Sequence, residues 1–413
     1  MSSHPEYDVL IVGGRAAGAS VAQLLARQGR RVLVVDRDEF PSDTMSTHFM
    51  SLAAVGALKR LGVLNDILAA GFRRVTRHRT WIDDCCFEGP AGPPGMFSLC
   101  PRRTVLDSTL LEHAVKAGAQ FEQRTRVDGL LTEGGHVVGA VLQATGGERR
   151  EVRARVVIGA DGKSSKVAEW VGAEKYNVAP ALRPVYYGYF HGVEPRPIAT
   201  VELFFGGDQI GFLFPMRDGE DCIALELQPE HFEEFRSSHT EAFEARVRKL
   251  PEMAQRMRDA HLEGKLIGIK GIENHFRKPY GPGWALTGDA GYLKDPSTGL
   301  GIGDALHQSF MLAESLGAWF DGADWEGTMS AFQQKRDQVM KPHYDATLAF
   351  TRVRDVGPAE QSLLKAILIS PLATRDVAYG VLRFLPQILS APAYAQTTMV
   401  SQVFAPAPEP AKT

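Results

Sequence analysis

The stretch "DVLIVGGRAAGAS", Asp8 to Ser20, constrains this chain more than any other. Four apolar residues, Val9 to Val12, run into glycines and then into an alanine- and leucine-rich segment with Val21, Leu24 and Leu25 at helical spacing. A continuous apolar run predicts a strand buried on both faces, and Gly29 stands where the following helix should stop. A second such run, "RVLVVD", ends at Asp36. Strand, glycine turn, helix, strand and terminal acid in that order predict a βαβ unit of the dinucleotide-binding kind. In such a unit the glycines permit a tight turn and close backbone approach to a pyrophosphate. The helix N-terminus favours the anion, and the acid accepts hydrogen bonds from a ribose.

Gly13, Gly14, Ala17, Gly18 and Asp36, with Arg37 beside the acid, are therefore candidate binding residues. Arg15 occupies the place where glycine is usual. Its backbone N–H can still face a phosphate, while its side chain either adds a charge-assisted contact or leaves the turn for solvent.

Composition removes other classes. A chain of 413 residues holds two or three domains, and a formal charge of −3 carries no electrostatic footprint for nucleic acid. No apolar run approaches a membrane span, and the first residues enter a strand without a basic and apolar leader, so a cytoplasmic enzyme is expected. The four cysteines, Cys85, Cys86, Cys100 and Cys222, are too few and too irregular for a disulfide framework or a zinc site. No metal site is expected.

Two later stretches repeat the strand-then-turn logic. "VVIGADGKSSKVAEWVGA" sends a buried strand into a turn at Gly159 to Gly162, and "GWALTGDAGYLKDPSTGLGIGDALHQS" places Asp289 after a short strand. Pro296, Gly299, Leu300 and Gly301 then lead into a helix. With these three motifs in order the chain resembles the single-component FAD monooxygenases typified by para-hydroxybenzoate hydroxylase, together with the related flavin-dependent halogenases and geranylgeranyl reductases. The resemblance spans most of the first 340 residues. It implies FAD as cofactor, with Asp161 and Gly162 near the pyrophosphates of FAD and NAD(P)H, and Gly288 and Asp289 at the ribityl chain. Gly291 and Tyr292 depart from the alanine and histidine that often continue that motif. In "CPRRTVLDSTLLEHAVKAGAQF" the family places an arginine against the phosphate or ribityl region. Arg103 matches it more closely than Arg102.

The implied fold is α/β: a Rossmann-like FAD-binding domain with an inserted antiparallel-sheet substrate domain and C-terminal helices. Residues 1–75, 101–178 and 273–345 are expected in the first domain, and 76–100 and 179–272 in the second. A helical region over 346–400 and a disordered tail over 401–413 follow. Between the second and third motifs, "VYYGYFHG", "ATVELFFGG", "GFLFPMRDG" and "DCIALELQ" read as short strands, and "GPPGMFSLC" is a further candidate. Tyr187, Tyr189, His191, Phe204, Phe212 and Phe214 are the candidate pocket lining, although alternation turns about half of each strand away. The basic run "FRRVTRHRT" reads as an exposed strand of alternating charge, with attraction of NAD(P)H as the other account. In the polar stretch "FPSDTMSTHF", His48 is the candidate catalytic group for proton transfer or substrate orientation, with Ser46 and Thr47 as hydrogen-bonding neighbours.

The resemblance implies that NAD(P)H, or a partner flavin reductase, supplies electrons. A flavin C4a-hydroperoxide formed with molecular oxygen would then hydroxylate an aromatic or polyunsaturated small molecule. Alkene reduction of the geranylgeranyl-reductase kind is the alternative. The halogenase reading is weaker because "IGFLFP" lacks both tryptophans of the halogenase stretch "WxWxIP". A flavin redox sensor without turnover is the non-enzymatic alternative.

Overall fold

In a computed structural model of the chain, the described residues are 6–351 except 207, 234, 236 and 237. The helices expected beyond residue 351 and the tail over 401–413 lie outside them.

The three motif strands stand side by side. In the first sheet, Trp284–Leu286, Arg149–Gly159, Tyr7–Val12, Val32–Val35 and Gln120–Glu122 are neighbours in that order and run parallel. Val12 is level with Gly159, and Gly159 with Leu286, so the three motif turns leave the same edge of the sheet at the same height. Parallel strands of this kind are covered on both faces, which is why their sequences lack polar alternation. Val9, Ile11, Val34, Val156 and Ile158 pack toward helices Ala16–Arg27, Gly301–Phe320 and Trp325–Thr351. Leu10, Val12, Leu33, Val35 and Val157 face the other way, onto Val137, Ala140 and Leu142 of the strand His136–Ala144.

A second sheet of seven strands has the order His261–Ile269, Val185–His191, Glu220–Glu226, Gln209–Arg217, Thr200–Gly206, Arg77–Ile82, Cys85–Pro90. It is antiparallel except at one place, where Arg77–Ile82 enters parallel to Thr200–Gly206. That strand comes from far upstream and joins without a hairpin, so turn geometry does not impose an antiparallel partner. It carries much of the basic run, and Arg77 and Arg79 both pair with Glu88 of the neighbouring strand. "GPPGMFSLC" adds no strand to this sheet; Ser98 and Leu99 make single bridges to Val75 and Met50.

Alternation divides this second sheet. Tyr187, Tyr189, Phe212, Phe214, Cys222 and Ala224 face inward, onto Leu106 and Leu110 of helix Arg103–Lys116. Tyr186, Phe190, Phe204, Leu213 and Ile223 face outward, under helices His239–Val247 and Pro251–Arg256. No helix among the described residues is long and apolar enough to cross a membrane.

Candidate active site

A cavity of about 500 Å³ lies along the edge where the three motif turns emerge. Asp36, Arg37 and Asp38 line it beside Gly13; Ala160, Asp161, Gly162, Gly288 and Asp289 line its middle. Lys294, Pro296, Gly301 and Ile302 line it together with Val185 and Tyr187 of the substrate sheet.

The first turn is fixed by backbone. Gly13 has φ +106°, and a Cβ there would run into the carbonyl of Ala160; one on Gly18 would run into the carbonyl of Gly13. The Gly14 N–H donates to Asp36 Oδ2 at 2.7 Å, and the Asp38 N–H to Asp36 Oδ1 at 2.9 Å. Burial raises the Asp36 pKa, and the two N–H donors offset only part of that. Among the described residues no side chain caps helix Ala16–Arg27, so its first N–H groups are left for an anion.

Arg15 does not point to solvent. Its guanidinium donates to the Ser42 carbonyl and hydroxyl and pairs with Asp38 at 3.0 Å and Asp107 at 3.1 Å. The side chain also borders the cavity. Of the two readings for this side chain, departure into solvent is not what the structure shows: the buried Asp107 and the half-exposed Asp38 hold the cation. Arg37, by contrast, is 81% exposed at the rim.

Asp161 is engaged within its own turn. Its Oδ1 accepts from the Ser165 hydroxyl at 2.6 Å and its Oδ2 from the Lys166 N–H at 2.7 Å, which satisfies the start of helix Lys166–Trp170. Gly162, at φ +77°, turns the chain there.

Asp289 behaves differently. Protein surrounds it, and burial raises its pKa against the lowering charges of Arg103 and Lys294. Yet the residue is solvent-accessible, because it opens into the cavity. Its carboxylate has no hydrogen-bond partner among the described residues, which leaves it free to accept from hydroxyls. Gly288 brings it there: a Cβ on Gly288 would lie 2.7 Å from that of Ala17, so only glycine lets the third turn pack on the first helix. Ser309 secures the same junction by donating to the Ala17 carbonyl at 3.0 Å. Gly299, at φ +65°, turns the chain against Phe49, and Leu300 begins helix Gly301–Phe320, whose N-terminus also lacks a side-chain cap among the described residues. Gly14, Gly18, Gly299 and Leu300 are not among the residues that line the cavity.

Arg103 borders the cavity and forks onto Asp107, with Nε at 3.1 Å. Arg102 turns to the substrate sheet: it lies 3.9 Å from the Tyr189 ring centroid and pairs with Asp43, Glu220 and Glu263.

Of the six candidate pocket residues, Tyr187 lines the cavity, and its hydroxyl donates to the Thr44 carbonyl at 3.2 Å. Tyr189, Phe212 and Phe214 share its face and pack behind it, with the two phenylalanines stacked at 5.8 Å. Phe204 and His191 are corrections. Phe204 pairs with Gly211, whereas Phe212 pairs with Leu203, so Phe204 falls on the outer face under the helices. His191 is the last residue of the interior strand Val185–His191, half-exposed and bonded to Glu263 and the Gly219 carbonyl.

His48 is also corrected. It has φ +60°, is fully buried, and lies behind the cavity wall that Thr44 to Thr47 build. Its Nε2 is 2.8 Å from the Tyr189 hydroxyl, which donates to Asp43. Nε2 therefore carries the proton and Nδ1 is left without a partner among the described residues. Burial first, and then the charges of Arg103 and Arg102, push its pKa down to about 3. A neutral, enclosed imidazole supports the wall and does not face a substrate.

Sequence reasoning missed Lys294 and Asp304. Both line the cavity, both are buried, and they form an ion pair. A lysine within "GYLKDPSTG", beside glycines expected to approach a ligand, was the available signal.

Two helix N-termini without side-chain caps, a ribose-type acid and a carboxylate without a partner among the described residues, all at one cavity, suit a dinucleotide with a hydroxylated linker, which is what FAD is. The fold and this site define an FAD-dependent oxidoreductase. Residues 6–347 match the family described as FAD binding domain, and the chain belongs to it. The digeranylgeranylglycerophospholipid reductase of Methanosarcina acetivorans is 28% identical over 330 residues, covering 75% of this chain and 74% of the relative. A flavin-dependent brominase has a similar structure (TM-score 0.78, 20% identity, 96% of this chain and 98% of the other). So does Pseudomonas aeruginosa PqsL in complex with 2-aminobenzoylacetate (TM-score 0.73, 20% identity, 87% and 99%). These two structures are similar in fold.

Proposed function

We propose that this protein is a monooxygenase that hydroxylates a compact aromatic or polyunsaturated molecule, with bound FAD reduced by NAD(P)H, directly or through a partner flavin reductase. The observation that carries this reading is the aromatic face beside the cavity. Tyr187 lines the cavity, with Tyr189, Phe212 and Phe214 packed behind it. An aromatic face of this kind suits packing against a flat ring. PqsL, of the same fold, is found with the small aromatic 2-aminobenzoylacetate.

FAD supplies the redox chemistry and the activation of oxygen when bound. The protein's part is positioning. The helix N-termini at Ala16 and Gly301 favour negative charge, Asp289 accepts from hydroxyls, and Tyr187 offers the cavity an aromatic face.

Alkene reduction is the second reading, favoured by the Methanosarcina acetivorans relative. The discriminating experiment reduces the purified, FAD-loaded protein without oxygen, then mixes it with oxygenated buffer in a stopped-flow spectrometer. A transient spectrum, distinct from oxidised and reduced cofactor, is the outcome expected of a monooxygenase. Slow reoxidation with no transient would overturn that reading in favour of the reductase.

A further inference from the structure

We propose that Lys294, Asp304 and His343 form a proton line between the cavity and solvent. The inference rests on FAD binding in this cavity but not on which substrate is oxidised or reduced. Lys294 borders the cavity, and its ammonium pairs with Asp304 Oδ2; each side chain is only 4% exposed. The other oxygen of the same carboxylate, Oδ1, accepts from His343 Nδ1 at 2.8 Å. The His343 side chain is 38% exposed. Three ionisable groups thus connect without a gap, one end at the cavity and the other at water.

A tie between the third-motif loop and helices Gly301–Phe320 and Trp325–Thr351 does not need this chemistry. Burying an ammonium and a carboxylate costs several kcal/mol, and apolar side chains join helices at least as well. Nor does a purely structural bridge require access at both ends. Burial raises the Asp304 pKa, but the hydrogen bond to His343 and the charge of Lys294 outweigh it and hold the group below its ordinary value. Asp304 is accordingly a carboxylate with one oxygen for each neighbour. The other charged or titratable groups facing the line are His307 on the same helix, Arg60 beyond it, Asp289 across the cavity and Tyr292 beneath Lys294.

The transfer balances. Lys294 gives its proton to an acceptor in the cavity. His343, protonated on both nitrogens by solvent, passes a proton to the Asp304 carboxylate, which hands it to the lysine amine, and solvent reprotonates His343.

The test uses the full-length FAD-loaded protein and electrochemically reduced methyl viologen, whose oxidation releases no proton, as electron donor, without substrate, NAD(P)H or oxygen. Reduction by two electrons takes up one proton, followed with a pH indicator in stopped flow. His343→Ala, at the half-exposed end, is expected to slow uptake about tenfold or more, with imidazole restoring it. Lys294→Met is expected to slow it without imidazole rescue. Uptake at the wild-type rate in His343→Ala, or slow uptake that imidazole leaves unchanged, would overturn the line. The oxygen experiment can fail without altering this result, because neither oxygen nor substrate enters it.

Discussion

The N–H of Gly14 is bound to Asp36 Oδ2 at 2.7 Å, so the acid at the end of the second strand also closes the glycine turn at the end of the first. One carboxylate thereby shapes the phosphate turn and presents the ribose acceptor. Asp36→Ala should weaken FAD binding by about tenfold or more, the scale of a lost charge-assisted hydrogen bond. Titration of the apoprotein by flavin fluorescence checks it; unchanged affinity would detach Asp36 from the site.

Arg15 ties the turn to Asp38, Ser42 and the buried Asp107. Arg15→Met removes that cation, although Arg103 still pairs with Asp107. A loss of about 1–3 kcal/mol in stability is expected from denaturant melts, because partly buried acceptors lose their donors. A variant as stable as wild type would contradict the role.

His48 makes stability depend on pH. Its folded pKa, about 3, lies below its ordinary 6.5, so between those values the unfolded chain binds the extra proton. Stability from this group is complete above about pH 6.5 and falls as pH drops toward 3, at up to about 1.4 kcal/mol per unit. His48→Gln should flatten that slope in melts taken from pH 7 to 4. An unchanged slope would mean that the imidazole is not held neutral.

Phe204 and Tyr187 should separate cleanly. Phe204→Ala opens a hole beneath the outer helices and should cost about 3–5 kcal/mol, with FAD affinity retained in the folded protein. Tyr187→Phe removes one hydroxyl at the cavity and should act on turnover more than on stability. Comparing melting temperature with substrate-stimulated NAD(P)H oxidation checks both.

What could be read from the sequence follows from what local pattern encodes. The βαβ unit and the three turns are short-range: an apolar run, a glycine that a Cβ would obstruct, an acid at a strand end. The inward and outward faces of the substrate sheet were beyond it, because Phe204 and Phe212 look alike until the Gly211 register places them on opposite sides. Burial of His48 depends on Tyr189, which is 141 residues away. The Lys294–Asp304–His343 alignment needs a loop and two helices to meet, so no spacing announces it.

The measurement that bears most directly on the whole account is the FAD content and affinity of the purified protein beside Asp289→Ala. Wild type should bind one FAD per chain. The variant should bind at least about tenfold more weakly while melting at a similar temperature, since Asp289 has no protein partner to lose among the described residues. A protein that takes up no FAD, or a variant that binds it as tightly as wild type, would contradict the placement of the cofactor along this cavity.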